Sequence, residues 1–112
     1  MSVPYSPYKI AGNLIFLAGH IHTNEEGKLV GQSIEEKTHQ VMKNIGKTLK
    51  KAGSSFTDVT KTTIYLTDLN DYVAVNEVYV QYFKAPYPAR EAVEVSKLPL
   101  GASVEISLIA TK

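Results

Sequence analysis

Cysteine and tryptophan are both absent from the 112 residues. Without cysteine the chain has no disulfide, no thiolate nucleophile and no zinc-cysteine site. Net charge is nearly absent as well: twelve Lys and Arg against eleven Asp and Glu leave +1, and no basic run exceeds Lys50-Lys51. A protein that holds nucleic acid by neutralising phosphates carries clustered cations, so a nucleic-acid partner is not expected. No apolar run approaches the roughly 20 residues that cross a bilayer. The N-terminus lacks the basic and apolar regions of a signal peptide, and the expectation is a cytoplasmic protein without a membrane partner. Repeats, internal linkers and low-complexity stretches are missing too. One α+β domain over residues 1–112 is therefore expected, and a chain of that length buries roughly two-thirds of its unfolded surface.

What is present reads as alternating short strands and two helices. Met1 to Lys9 contains Pro4-Tyr5-Ser6-Pro7-Tyr8, whose prolines forbid a helix and favour an extended lead-in. After the tight-turn pair Gly12-Asn13, Leu14-Ile15-Phe16-Leu17-Ala18 is a short strand that is apolar on both faces. Ser33-Ile34-Glu35-Glu36 is a capping box. Beyond it, Ile34, Val41, Met42, Ile45, Leu49 and Ala52 mark one helical face, and Gly53 supplies the left-handed stop. Val59 to Leu66 is rich in threonine and β-branched residues and reads as a strand. Tyr72, Val75, Tyr79, Tyr82 and Phe83 form the apolar face of a second helix that must end before Pro86 and Pro88.

Two final stretches carry the chemistry. In Tyr87 to Val95, alternation turns Val93 and Val95 one way and Arg90, Ala92 and Glu94 the other. In Ala102 to Leu108, Val104, Ile106 and Leu108 point one way and Ser103, Glu105 and Ser107 the other. If the branched aliphatic side chains share one core, Arg90 and Glu105 project together from the opposite face of one sheet. That would set a bidentate anion clamp near a carboxylate able to move protons.

Strands outnumber helices, and two helices cover only one face of such a sheet. Leu14 to Ala18 is apolar on both sides, and the face expected to carry Ala92, Ser107 and Ile109 is small and mixed. A surface of that kind is expected to be covered by a symmetric oligomer, with a site on it lying between subunits.

Read together, these segments resemble one family. Pro4-Tyr5-Ser6, Ala11-Gly12-Asn13-Leu14-Ile15-Phe16 and Ala52-Gly53-Ser54-Ser55 form its first half. Val59 to Tyr72 with its Lys61-Thr62-Thr63 and Asn70-Asp71-Tyr72, Val75-Asn76-Glu77-Val78-Tyr79, Pro88-Ala89-Arg90 and Val104-Glu105-Ile106 complete it. The chain is similar over nearly its whole length to the Rid/YjgF family of reactive-intermediate deaminases, some once described as translation inhibitors. The resemblance implies a chorismate-mutase-like fold, with a mixed β-sheet and both helices on one face. It also implies a homotrimer, sites in clefts between subunits, and cofactor-free hydrolysis of 2-imino acids or their enamine tautomers to 2-keto acids and ammonia. It further implies that Arg90 grips the substrate carboxylate, Glu105 orients water and shuttles protons, Tyr5 closes over the ligand and Asn76 stands near it. Two departures fall in the same region: Ala18-Gly19-His20 replaces the family's Ser-Gly-Gln, and Ala92 stands where a cysteine is frequent.

Blander readings stand beside these. They make Arg90 only an ion-pair partner of Glu91 or Glu94, Glu105 a solvated strand residue, Tyr5 a packing anchor and Asn76 a helix strut. His20 and His22, two apart, would share a strand face, but no third ligand has usable spacing and no metal is expected. The alternatives to a deaminase are a non-catalytic binder of 2-keto acids and an RNA-directed translation inhibitor or endoribonuclease.

Overall fold

A computed structural model describes residues 3–112, so the first two residues of the extended lead-in lie outside the described residues. Five strands form one sheet: β1 (Tyr8–Ala11), β2 (Leu14–His20), β3 (Val59–Leu66), β4 (Ala89–Glu94) and β5 (Val104–Thr111). Two helices, α1 (Ile34–Lys51) and α2 (Tyr72–Tyr79), separate β2 from β3 and β3 from β4. The strand order is β1-β2-β5-β3-β4. All pairings are antiparallel except β3 with β4, which is parallel and uses α2 as its crossover.

The first helix follows its sequence signals. Ser33 Oγ accepts from the Glu36 amide at 3.1 Å, and Glu36 Oε1 accepts from the Ser33 amide at 3.0 Å. Those backbone bonds hold the Glu36 carboxyl below its usual pKa. At the other end Gly53 takes φ +84°, where a side chain would be strained. Val41, Met42, Ile45 and Leu49 of α1 meet Ile15, Leu17, Ile64, Leu66, Val104, Ile106 and Leu108 of the sheet in one buried cluster. Burial of each such side chain contributes roughly 1.5–3 kcal/mol, which fixes α1 across the centre of the sheet. The second helix is shorter than its apolar pattern suggests. It ends at Tyr79 and tightens into a 3₁₀ turn over Val80–Tyr82, while Val75, Tyr79 and Phe83 stay buried.

Both helices cover the same face. The other face is bare and partly apolar: Leu14 is 37% exposed, Phe16 41% and Val93 42%. Among the described residues no helix is long and apolar enough to cross a membrane.

Two expectations about the sheet are corrected. The strands carrying Arg90 and Glu105 are not neighbours, because β3 lies between them. They also present those residues to opposite faces. Thr62 and Ile64, buried beneath the helices, pair with Arg90 and Ala92, so these two face the helix layer. Tyr65 pairs with both Val93 and Glu105, which puts Val93 and Glu105 on the bare face. Ala92 accordingly belongs to the helix side and is not grouped with Ser107 and Ile109. The physical reason is that β4 is an edge strand. Its phase is imposed by register with β3, and its valine is left facing outward where alternation alone would assign it to the core.

Candidate active site

The candidate residues fall into two groups, one on each face of the sheet. On the helix side, parallel pairing with β3 points Arg90 toward α2. Its guanidinium carbon lies 5.4 Å from the centre of the Tyr72 ring and 5.0 Å from that of Tyr79. Arg90 Nη2 donates to the Tyr72 hydroxyl at 2.8 Å. The Tyr79 hydroxyl is held at 2.8 Å by Thr62 Oγ1, and burial raises its pKa. Both rings thus lie within cation–π range of the guanidinium, each such contact being worth roughly 0.5–2 kcal/mol.

Neither neighbouring carboxylate competes for it. Glu91 faces the bare side and pairs with Lys61 at 2.7 Å. Glu94 Oε1 accepts from the Leu69 amide at 2.8 Å. Among the described residues Arg90 therefore has no anionic partner. Asn76 sits four residues after Tyr72 and three before Tyr79, on the same stripe of α2. Its Oδ1 is buried and without a hydrogen-bond partner among the described residues. An acceptor left in that state costs about 1–3 kcal/mol, and a bound donor would relieve it.

On the bare face, Glu105 of β5 stands against the Ala18-Gly19 segment at the end of β2. Pairing between β2 and β5 is irregular between Leu17 and His20, and this lifts Gly19 toward the glutamate. A methyl group on Gly19 would stand 2.5 Å from Glu105 Oε2, so glycine is what lets the carboxylate lie there. Loss of surrounding water pushes the Glu105 carboxyl above its usual value. No hydrogen bond or ion pair holds it among the described residues.

His20 anchors the same segment. Its Nδ1 donates to the Ala18 carbonyl at 2.7 Å, and its Nε2 accepts from the Thr48 hydroxyl of α1 at 2.8 Å. Burial lowers its pKa and favours this neutral form. Tyr5 is exposed and, with Pro7, Ala18, Gly19 and His20, lines a hollow of about 290 Å³.

The structure thus brings Tyr5 and Ala18 to one hollow, whose Gly19 also lies against Glu105, and Arg90 and Ala92 to another, with Asn76 on the same stripe of α2 as the two tyrosines beside Arg90. It does not bring the two together in one chain. Arg90 and Glu105 are two strand spacings of roughly 4.8 Å and three residues of roughly 3.3 Å apart. Their side chains leave opposite faces. His20 and His22 do not share a strand face either: β2 ends at His20, and His22 lies buried beyond it, bonded to the Val30 carbonyl and the Ser103 amide.

Sequence reasoning missed Tyr72 and Tyr79 as neighbours of the guanidinium and took them as core and interface. Their spacing of seven, with Asn76 between, was the available signal. It also missed Gly19, for which a glycine after an apolar strand was the only cue.

A profile of the family described as endoribonuclease L-PSP matches residues 1–112. The chain is 50% identical over 109 residues to a chloroplastic Reactive Intermediate Deaminase A of Arabidopsis thaliana, covering 96% of this chain and 58% of that protein. It is 44% identical over 108 residues to the human 2-iminobutanoate/2-iminopropanoate deaminase, covering 96% of this chain and 79% of that one. The crystal structure of RidA from an Antarctic Psychrobacter superposes with a TM-score of 0.94 at 36% identity, over 100% of this chain and 91% of that one.

Proposed function

This chain belongs to the endoribonuclease L-PSP family, known also as Rid/YjgF, and from that premise we propose that it hydrolyses reactive 2-imino acids to 2-keto acids and ammonia. The observation that carries the reading is Arg90. It is a partly buried guanidinium, set beside two tyrosine rings and free of any carboxylate among the described residues. A planar donor fork in that state is built to receive a planar carboxylate.

The cleft is shared between copies. Arg90, Asn76, Tyr72 and Ala92 of one copy face Glu105, Tyr5 and Ala18 of the next, because one chain holds the two groups on opposite faces. A contact between the β4 edge of one copy and the bare face of another joins two different surfaces. Such a contact closes as a ring, and a homotrimer is the ring the family implies. It would also cover Phe16 and Val93.

In this cleft Arg90 holds the substrate carboxylate and fixes the neighbouring C=N carbon. Glu105 accepts a proton from a bound water as its oxygen attacks that carbon. The nitrogen takes up the proton Glu105 has accepted and then the hydroxyl proton relayed by the same carboxylate, and the C–N bond breaks with its electron pair going to nitrogen as C=O forms. The sum is imine plus water to ketone plus ammonia. The raised pKa of Glu105 brings a carboxylate closer to the range useful for such transfers. Asn76 offers its unpartnered acceptor beside the clamp. No step calls for a cofactor, and the near-zero net charge gives RNA no electrostatic footing.

The test is a coupled assay in which a dehydratase releases 2-iminobutanoate from threonine and 2-keto acid formation is followed. The protein is expected to accelerate hydrolysis, and Arg90→Ala and Glu105→Gln each to slow it by roughly a hundredfold or more without loss of assembly. An inactive parent protein that still binds 2-keto acids would replace the reading by a carboxylate-binding one.

A further inference from the structure

We propose that His20 is a positioning residue for the hydrolysis: through the Ala18 carbonyl it sets where the Gly19 backbone lies against Glu105, with α1 as the fixed support. This rests on the reading of Glu105 as the group that activates water.

The ladder between β2 and β5 gives this segment little hold of its own. Leu17 pairs with Leu108 and His20 with Ile106, so Ala18 and Gly19 together stand opposite Ser107. That is a β-bulge, in which the doubled residues lose regular pairing and the strand is re-aimed. The backbone of Ala18 bonds elsewhere. Its amide donates to the Pro7 carbonyl at 3.0 Å, and its carbonyl accepts from His20 Nδ1 at 2.7 Å. The Ala18 carbonyl and the Gly19 amide belong to one planar peptide unit, so holding the carbonyl fixes the plane and the Gly19 Cα at its end. A methyl group on that Cα would reach 2.5 Å from Glu105 Oε2. The bond that holds Ala18 therefore also keeps water from one side of the carboxylate.

The imidazole is clamped at both ends. A carbonyl only accepts, so Nδ1 carries a proton, and in the neutral ring Nε2 takes the Thr48 hydroxyl proton at 2.8 Å. In the charged ring Nε2 donates instead, and the hydroxyl turns to the Asn44 carbonyl at 3.3 Å. Nδ1 keeps Ala18 in both forms, so titration of His20 does not release it. Thr48 is buried in α1, and one turn earlier Asn44 Nδ2 donates to the Ile21 and Thr23 carbonyls at 3.0 and 2.9 Å. The stretch from Ala18 to Thr23 is thereby tied to one stripe of the helix that crosses the centre of the sheet. The other titratable groups around it are Tyr5, Glu25, Lys47 and Lys51 at the hollow and Tyr65 beside Glu105 on β3. Glu25 pairs with Lys47 at 3.6 Å, and none pairs with Glu105 among the described residues. In the proposed cleft Arg90 of the next copy joins them, and it is common to the parent and to each variant.

The experiment compares the parent with His20→Ala, His20→Asn and Thr48→Val. Asparagine keeps a donor near the place of Nδ1, and valine keeps the shape of threonine without its hydroxyl. In His20→Ala, kcat is expected to fall by about tenfold or more with KM within about twofold, the pattern of a displaced reacting group rather than of lost binding. Water re-entering beside Glu105 is expected to bring the acid limb of the kcat/KM profile down toward the ordinary carboxylate value of 4.5. Thr48→Val is expected to move both readouts the same way by less, and it carries the test should His20→Ala fail to fold. His20→Asn is expected to restore kcat to within about threefold of the parent, and the acid limb with it. A carboxyl NMR titration, with Glu105 assigned by its absence from Glu105→Gln, reads the same shift without substrate. A Glu105 titration unmoved in both His20→Ala and Thr48→Val overturns the proposal. So does a loss of kcat that merely follows the thermal melt and is equal in His20→Asn. Absence of turnover in the parent overturns the deaminase reading and the role in hydrolysis with it, while the titration still separates an anchored Glu105 from a free one.

Discussion

Arg90 shows how much of a side chain's function is set by what it is denied. Glu91 is occupied by Lys61 on the other face and Glu94 by the Leu69 amide. The nearest carboxylates in sequence are thereby removed, and Tyr72 and Tyr79 hold the planar fork in place by one hydrogen bond and two ring contacts. Lysine would keep the charge but lose both the fork and the stacking. Arg90→Lys is accordingly expected to raise KM for imino acids at least about tenfold and, with the ring contacts weakened, to lower the melting temperature by a few degrees, read by steady-state kinetics and calorimetry. Glu105 is tuned in the opposite sense. Withdrawal of water favours its neutral form, so its proton leaves at a higher pH than from an ordinary glutamate. A base must be ionised, and activity is therefore expected to fall on the acid side at a pH above the usual carboxylate value of 4.5. A pH profile of kcat/KM checks this, and in Glu105→Gln that limb is expected to vanish along with roughly a hundredfold or more of kcat.

At the scale of elements, most of the fold was legible because local chemistry and tertiary demand agree. The capping box over Ser33 to Glu36, the apolar stripe to Leu49 and the stop at Gly53 all hold as read. Val59–Leu66 is the strand its β-branched residues indicate. The side on which Arg90 emerges was not legible. Alternation gives the phase of a strand but not which phase meets the core, and at an edge strand the register with a neighbour decides. Valine in β4 was a misleading guide for that reason, and Ala92, too small to signal burial, was the residue facing inward. The role of the loop after β2 was hidden as well. His22, only 2% exposed, donates from Nδ1 to the Val30 carbonyl at 2.9 Å and accepts at Nε2 from the Ser103 amide at 3.0 Å. It thereby ties that loop to the start of β5, two residues before Glu105. Burial lowers its pKa below 6.5. The unfolded chain then takes up the proton first as pH falls, so stability is lost from about pH 6.5 down toward the depressed native value. Urea unfolding at pH 7.5 and pH 5 is expected to show lower stability at pH 5. His22→Gln is expected to reduce that difference, with His20 supplying what remains.

The whole molecule carries its chemistry as two halves that face away from each other. In the proposed cleft, Arg90 and Glu105 meet only when the edge of one copy lies on the bare face of another, and catalysis and assembly would then be one event. Mixing inactive Arg90→Ala and Glu105→Gln chains after unfolding, then refolding them together, is expected to restore about a quarter of the parent activity. That is the share of interfaces in which each residue comes from an intact donor. Either variant refolded alone is expected to restore none, and a site contained within one chain would stay silent in the mixture too. The same geometry bears on inheritance. In the proposed ring, each chain would lend its arginine to one cleft and its glutamate to a different one. A chain damaged at Arg90 alone spoils one cleft of the ring it enters and leaves the others working. Output then falls in simple proportion to the fraction of damaged chains, and a cell carrying one sound and one defective copy of the gene keeps about half of its activity, without poisoning of the sound product.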